Sequence, residues 1–190
     1  RTPYVLVLDD DSAPRPGTVE AMTAWLEAHP EAGAAAGNIL DTNGRSEWDN
    51  GPVATAEASD WDNLIGCGFL VRRRALCQAG GYDASFELYY NDLDLALHLL
   101  ARRYRIGYHP DWIFDHRCIG GRQEPSTGQR KLCFMARNFP IIAHKYFTGC
   151  RKWDITAVHS AIVLYKAVRA RCLFAALWQC FRGIVRPKTR

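Results

Sequence analysis

Residues 4–8, Tyr-Val-Leu-Val-Leu, form a continuous apolar run of β-forming residues, which predicts a strand covered on both faces. Three carboxylates, Asp9, Asp10 and Asp11, follow at its C-terminal edge. Pro14, Pro16 and Gly17 break the strand. Thr18 is placed to cap a helix running to about His29, with Met22, Trp25 and Leu26 on one stripe and Pro30 as its stop. Residues 33–40 read as a second strand and "DTNGRSEWDNGP" as a polar loop. A third strand is read in "LIGCGFLVRR", 64–73, where Gly66 and Gly68 leave room for something to approach the backbone. A short helix then ends at Gly80 and Gly81, and a longer one starts at Asn91 and Asp92, with Leu93, Ala96, Leu97 and Leu100 on one face. "YRIGYHP" and "WIFDHR" read as two further strands, and 127–147 and 155–182 as helices. Strands alternating with helices predict a layered α/β domain with a largely parallel sheet, whose ligands gather at the C-terminal strand edges.

With 190 residues and 48% hydrophobic content, the chain can bury a real core and is not disordered. It opens on Arg1 with a strand almost at once, as expected of a piece of a longer protein. Its seven cysteines are odd in number and never spaced as CxxC, which argues against a zinc knuckle or a disulfide framework and for reduced thiols in the cytoplasm. The most apolar region, 155–181, is interrupted by His159, Lys166, Arg169 and Arg171, so no membrane-spanning helix is expected. The net charge of +4 is unevenly placed, with the C-terminal third the basic part. No aromatic platform or reader motif accompanies those charges, so nucleic acid is not an expected partner.

Four features can carry chemistry. Asp9 and Asp11, two residues apart past a strand end, can turn toward one point and hold Mg²⁺ or Mn²⁺; equally, the run can be an Asp-rich turn bonding its own amides. Asp92, with Asn91 beside it, can be a general base or simply a helix-start carboxylate, while Asp94 and His98 are spaced to pair along the helix. His116 can complete a metal site or be structural. The "RRR" at 72–74 reads as a solvated helix start, with diphosphate binding as the alternative.

In this order the pieces resemble the later part of a family-2 glycosyltransferase. "VLVLDDDSAPRPG" is similar to the family's strand, Asp-x-Asp, Pro-x-Pro-Gly motif. The segment from "IGCGF" to "WIFDH" is similar to its glycine-rich acceptor strand, Gly-Gly-Phe-Asp turn, Glu-Asp motif and later histidine. "CFMARNFPIIAHKYF" is similar to its Arg-Asn helix, carried by Arg137 and Asn138. The resemblance covers about residues 4–146. It implies a partial GT-A (Rossmann-like) mixed sheet flanked by helices over 1–125, with a C-terminal helical extension over 126–190. In that extension Phe174, Leu177, Trp178 and Phe181, mixed with Lys166, Arg169, Arg171 and Arg182, are a composition that can lie on an anionic membrane or pack on its own domain.

For the site, the resemblance implies Asp92 as catalytic base and Asp9 and Asp10 on the donor. It implies Asp11, Asp9 and His116 at a Mg²⁺ or Mn²⁺ ion, and Gly66, Gly68, Asn91 and Asp94 in acceptor or structural support. The implied activity is metal-dependent, inverting sugar transfer in cell-envelope or surface polysaccharide synthesis. The donor would be a dTDP- or UDP-sugar and the acceptor a glycan or a lipid-linked hydroxyl. The cysteine pattern and the composition of 155–182 together point to the cytoplasm, peripherally on the inner face of the cell membrane. Asn91 stands where the family has Glu, His98 where Arg is common, and Arg103 where glycine often ends the helix. The family's nucleotide-binding strand-helix-strand unit would precede Arg1, so the chain alone is expected to bind donor poorly.

Two rivals remain. A haloacid-dehalogenase-type phosphotransferase also opens on a strand and Asp-x-Asp, but it places Thr or Val where Ala13 stands. An inactive membrane-surface or interaction module would rest on the aromatic and basic residues of 155–182.

Overall fold

The structure is a computed structural model that describes residues 2–46, 58–117 and 125–185, with side chains described from residue 128 in the last stretch. The chain forms two compact units, residues 1–83 with 92–121, and residues 84–91 with 122–190.

The first unit is built on a sheet of strands β1 (Tyr4–Val7), β2 (Ser12–Pro14), β3 (Ala32–Leu40), β4 (Ser59–Trp61), β5 (Phe69–Arg72) and β6 (Arg105–His116). Their order is β1-β5-β3-β6-β2, with β4 also on β6. Among the described residues, only β3 and β6 run parallel; the other pairs are antiparallel. The sheet is therefore mixed, as the family resemblance implies, and the largely parallel sheet inferred from the alternation of elements is corrected. Chain order alone cannot specify which neighbours a strand pairs with across the sheet.

Period-two alternation along β3 explains the two-sided core. Ala35 and Ile39 face Met22 and Leu26 of helix α1 (Thr18–Ala28), with Trp112 and Phe114 alongside. Ala34 and Ala36 face helices α2 (Arg73–Ala79) and α3 (Asn91–Ala101), through Ala75, Leu95 and Leu99. Small residues on β3 let helices close from both sides, and each fully buried Phe or Leu contributes about 2 kcal/mol.

Local readings are sharpened in several places. The two strands expected over 104–116 are one, β6, with a register shift opposite Ala36–Asn38. The strand expected over 64–73 is paired only over β5, and its first half is a turn closed by Gly68 N–H to the Ile65 carbonyl. Thr18 is not the cap of α1: Gly17, at φ 83°, takes that place, and the Thr18 hydroxyl donates to the Ile113 carbonyl at 3.1 Å. Arg72 is not solvated either; its guanidinium donates to the carbonyls of Leu26 and His29 at the end of α1 and of Ala32 at the start of β3. Gly80, at φ 85°, ends α2 as expected, with the Gly81 N–H bonded to the Leu76 carbonyl.

The second unit contains helices α4 (Pro125–Tyr146), α5 (Arg151–Arg169) and α6 (Leu173–Val185). They pack through Ala136, Val163, Ala167, Ala176 and Cys180. The single helix expected over 155–182 is thus two. The break falls at Arg171, in the left-handed region at φ 55°, where the Cys172 N–H returns to the Ala167 carbonyl. No glycine or proline marks it in the sequence. Asn138 is fully buried, and its amide donates to the carbonyls of Leu88 and Tyr89 at 2.7 and 2.8 Å. It thereby holds the left-handed pair Tyr89 and Tyr90, at φ 60° and 66°.

Candidate active site

The site grows from the C-terminal end of β1. The chain leaves β1 at Leu8, turns through Asp9–Asp11, with the Ser12 N–H on the Asp9 carbonyl at 3.2 Å, and enters β2. Pairing of β2 with the end of β6 sets Ser12 opposite His116, and the Arg117 N–H closes on the Asp11 carbonyl at 2.8 Å. An exposed, two-pronged Arg15–Asp115 ion pair holds the same two strands together. Consequently the Asp11 carboxylate lies 3.2 Å from His116 Nε2.

Asp9 turns to the other neighbour, the 64–68 turn. The Cys67 thiol donates to Asp9 Oδ2 at 3.1 Å, and the Ser12 hydroxyl donates to the Cys67 carbonyl. One donor atom each of Asp9, Cys67 and His116 lies within 4.8 Å of the others. The two carboxylates of the Asp-x-Asp pair thus converge on the His116 imidazole, with a buried thiol beside them that the sequence reading did not include. Asp9, Cys67 and His116 offer a carboxylate, a thiol and an imidazole to one point, with the Asp11 carboxylate against the imidazole, and such donors can hold a divalent ion. Their nitrogen and sulfur suit Mn²⁺ or a softer ion better than Mg²⁺, which prefers oxygen. Asp10, between them, is exposed.

Asp92 opens α3 on the far side of Gly66. Its Oδ2 accepts the Gly66 N–H at 3.0 Å and its Oδ1 accepts the Tyr82 hydroxyl at 2.8 Å. A Cβ on Gly66 would sit 3.0 Å from Asp92 Oδ2 and 3.5 Å from Asp9 Oδ1, so this glycine separates the two carboxylates by the width of a backbone. Desolvation holds the Asp92 carboxyl above the ordinary value of 3.8; the Tyr82 and Gly66 bonds oppose this, and the Asp9 charge adds to it. Tyr82 is pushed up in turn, by burial of its hydroxyl first and then by the Asp92 charge.

The remaining expected residues have plainer surroundings. Gly68 packs under Phe114: a Cβ there would lie 2.3 Å from the ring. Asp94 is buried at the i, i+4 position from His98, 4.0 Å away. Asn91 starts α3 and is half-buried.

Comparison of the sequence with protein-family models and with curated proteins finds no match. Comparison of the structure does. A mannosyltransferase, PcManGT from Pyrobaculum calidifontis, in complex with GDP-Man and Mn²⁺, aligns with TM-score 0.53 over 98% of this chain and 52% of its own, at 15% identity. GalNAc-T7 with UDP, GalNAc and Mn²⁺ aligns with TM-score 0.51 over 71% and 31%, at 13% identity. The fold is a GT-A-like glycosyltransferase fold. S. aureus TarS aligns as well, with TM-score 0.50 over 97% of this chain and 39% of its own, at 14% identity. The chain spans from about a third to about half of the length of these GT-A-like structures. At such identities the likeness is one of fold.

Proposed function

We propose that the chain carries the acceptor and metal side of an inverting, metal-dependent glycosyltransferase. Such an enzyme moves a sugar from a nucleoside diphosphate to an acceptor hydroxyl. The observation that carries this reading is the placement of Asp92. It is a desolvated carboxylate held from two sides and separated by one glycine backbone from the Asp9, Asp11, His116 and Cys67 cluster. The GT-A-like fold supports it, as do the nucleotide sugars and Mn²⁺ named for two of the similar structures.

In this reading Asp92 accepts the proton of the acceptor hydroxyl as that oxygen attacks the anomeric carbon from the face opposite the diphosphate. Each Asp92 oxygen spends one lone pair on its present donor and keeps another for the incoming hydroxyl. Gly66 and Tyr82 fix the carboxylate plane, so its orientation is set before substrate arrives. Asp9, Asp11 and His116, with Cys67 beside them, would hold Mn²⁺ in preference to Mg²⁺. That ion would supply the positive charge that offsets the one growing on the departing diphosphate. A UDP- or dTDP-sugar donor, a glycan or lipid-linked acceptor and a role in cell-envelope polysaccharide belong to the same proposal. They rest on the likeness of "YYNDLDL" to rhamnosyl- and galactofuranosyl-transferring sequences.

With the chain joined to the nucleotide-binding unit that the family resemblance calls for, release of nucleoside diphosphate from UDP-, dTDP- and GDP-sugars, followed with and without Mn²⁺, tests the reaction, and NMR of the product gives its anomer. Mn²⁺-dependent turnover with inversion is expected. Retention of configuration, or turnover indifferent to chelators, would contradict the mechanism.

A further inference from the structure

Helix α6 is built inside out. Its inward face is Ala176, Cys180 and Gly183, small residues at i, i+4 and i+7. A Cβ on Gly183 would lie 2.0 Å from the Arg137 carbonyl oxygen, so the α6 backbone rests directly on α4. The large side chains are on the other side: Phe174 is 87% exposed, Trp178 60% and Phe181 57%, with Leu177, Ile184 and Val185 also exposed. The Trp178 and Phe181 rings stack at 6.0 Å. Helix α5 repeats the arrangement, burying Thr156, Val163 and Ala167 while Val158, Ile162 and Tyr165 are exposed. A helix that only packed on its own unit would place its aromatic residues inward. Exposed apolar area of this extent marks a contact surface.

Charge selects the occupant. Residues 125–190 hold thirteen Lys or Arg against one acidic residue, Asp154, whereas residues 1–124 hold eleven against nineteen. Lys166, Arg169, Arg171 and Arg182 are exposed on the same two helices and their junction. A second copy of this face would bring like charges together, and an anionic surface would neutralise them. No helix among the described residues is long and apolar enough to cross a membrane. The thirteen residues of α6 reach roughly 20 Å, against about 30 Å of hydrocarbon.

We propose that the outward face of α5 and α6 docks on the surface of an anionic lipid bilayer, with the α6 aromatics in the headgroup boundary and the Lys and Arg residues on the lipid phosphates. The proposal is independent of the sugar-transfer reading.

Flotation of the whole chain with phosphatidylcholine vesicles, with and without about 30% phosphatidylglycerol, tests it. Binding is expected to the anionic vesicles and to weaken steeply with salt. The triple variant Phe174→Ser, Trp178→Ser, Phe181→Ser should lower the partition coefficient at least about tenfold. The pair Lys166→Glu, Arg169→Glu, at exposed positions that leave the apolar face intact, should lower it on anionic vesicles alone. Absence of binding to anionic vesicles overturns the proposal, as does binding that neither variant changes. A concentration-dependent dimer that the triple variant dissolves, without vesicle binding, assigns the face to a second copy and also overturns it.

Discussion

Asp92 gains its character from three neighbours that lie far apart in sequence. Burial raises its pKa, and the Tyr82 hydroxyl is the larger of the two hydrogen bonds that restrain the rise. If Asp92 is the base, it must be ionised to act, so the acid limb of the rate profile should lie above the ordinary aspartate value of 3.8. Removing the Tyr82 hydroxyl removes a bond to the charged form, so Tyr82→Phe should move that limb further up in pH. A pH profile of kcat/KM for the two proteins checks the sign; an unmoved or lowered limb would show that Tyr82 does not restrain Asp92. Asp92 and His116 stand out in the sequence as candidates because their order and spacing match the series of the resembling family. Tyr82 was visible only as a hydroxyl where the resembling turn carries Phe. Cys67 gave no signal, since an apolar strand with a cysteine reads as ordinary core.

At the scale of elements, composition and punctuation carried most of the fold. The apolar run of β1, the stripe on α1 and the glycine pair after α2 are local features, and each predicted element is there. Pairing was not legible, because β2 is only three residues long and acquires meaning from its antiparallel register with β6. That register, more than any motif, brings His116 to Asp11. Departures from the resembling family were informative where they concern backbone. Arg103, standing where a glycine often ends the helix, adopts φ 63°, and the Tyr104 N–H bonds the Leu99 carbonyl behind it. A side chain in that region costs about 1 kcal/mol, so Arg103→Gly should stabilise the protein by roughly that much. Urea denaturation compares the two midpoints, and an unchanged or lower midpoint for the variant would contradict the assignment.

For the whole molecule, a half-buried histidine of the second unit should make stability sensitive to acid. In the second unit, the His159 ring stacks on Phe139 at 3.7 Å, with its Nε2 2.7 Å from the Tyr90 hydroxyl. Burial first, and then Lys166, lower its pKa from 6.5 to about 4. Between those values the unfolded chain binds a proton that the folded chain does not, so stability should fall as pH drops from 6.5 toward 4 and then level. The loss is on the order of 2 kcal/mol after discounting for partial solvent access. His159→Gln should flatten this part of the curve, as read by denaturant unfolding at a series of pH values. If the variant keeps the full slope, the acid sensitivity lies elsewhere.

If Asp92 is the base of a sugar transfer, Asp92→Asn should lose turnover and keep donor affinity, which steady-state kinetics measure. The variant keeps the shape of the side chain and can still accept from Tyr82 or Gly66, but it cannot take a proton. A fall in kcat of about 10²–10⁴-fold with donor KM nearly unchanged is the predicted result. Turnover at the parent rate, or a loss confined to KM, would mean that Asp92 is not the base.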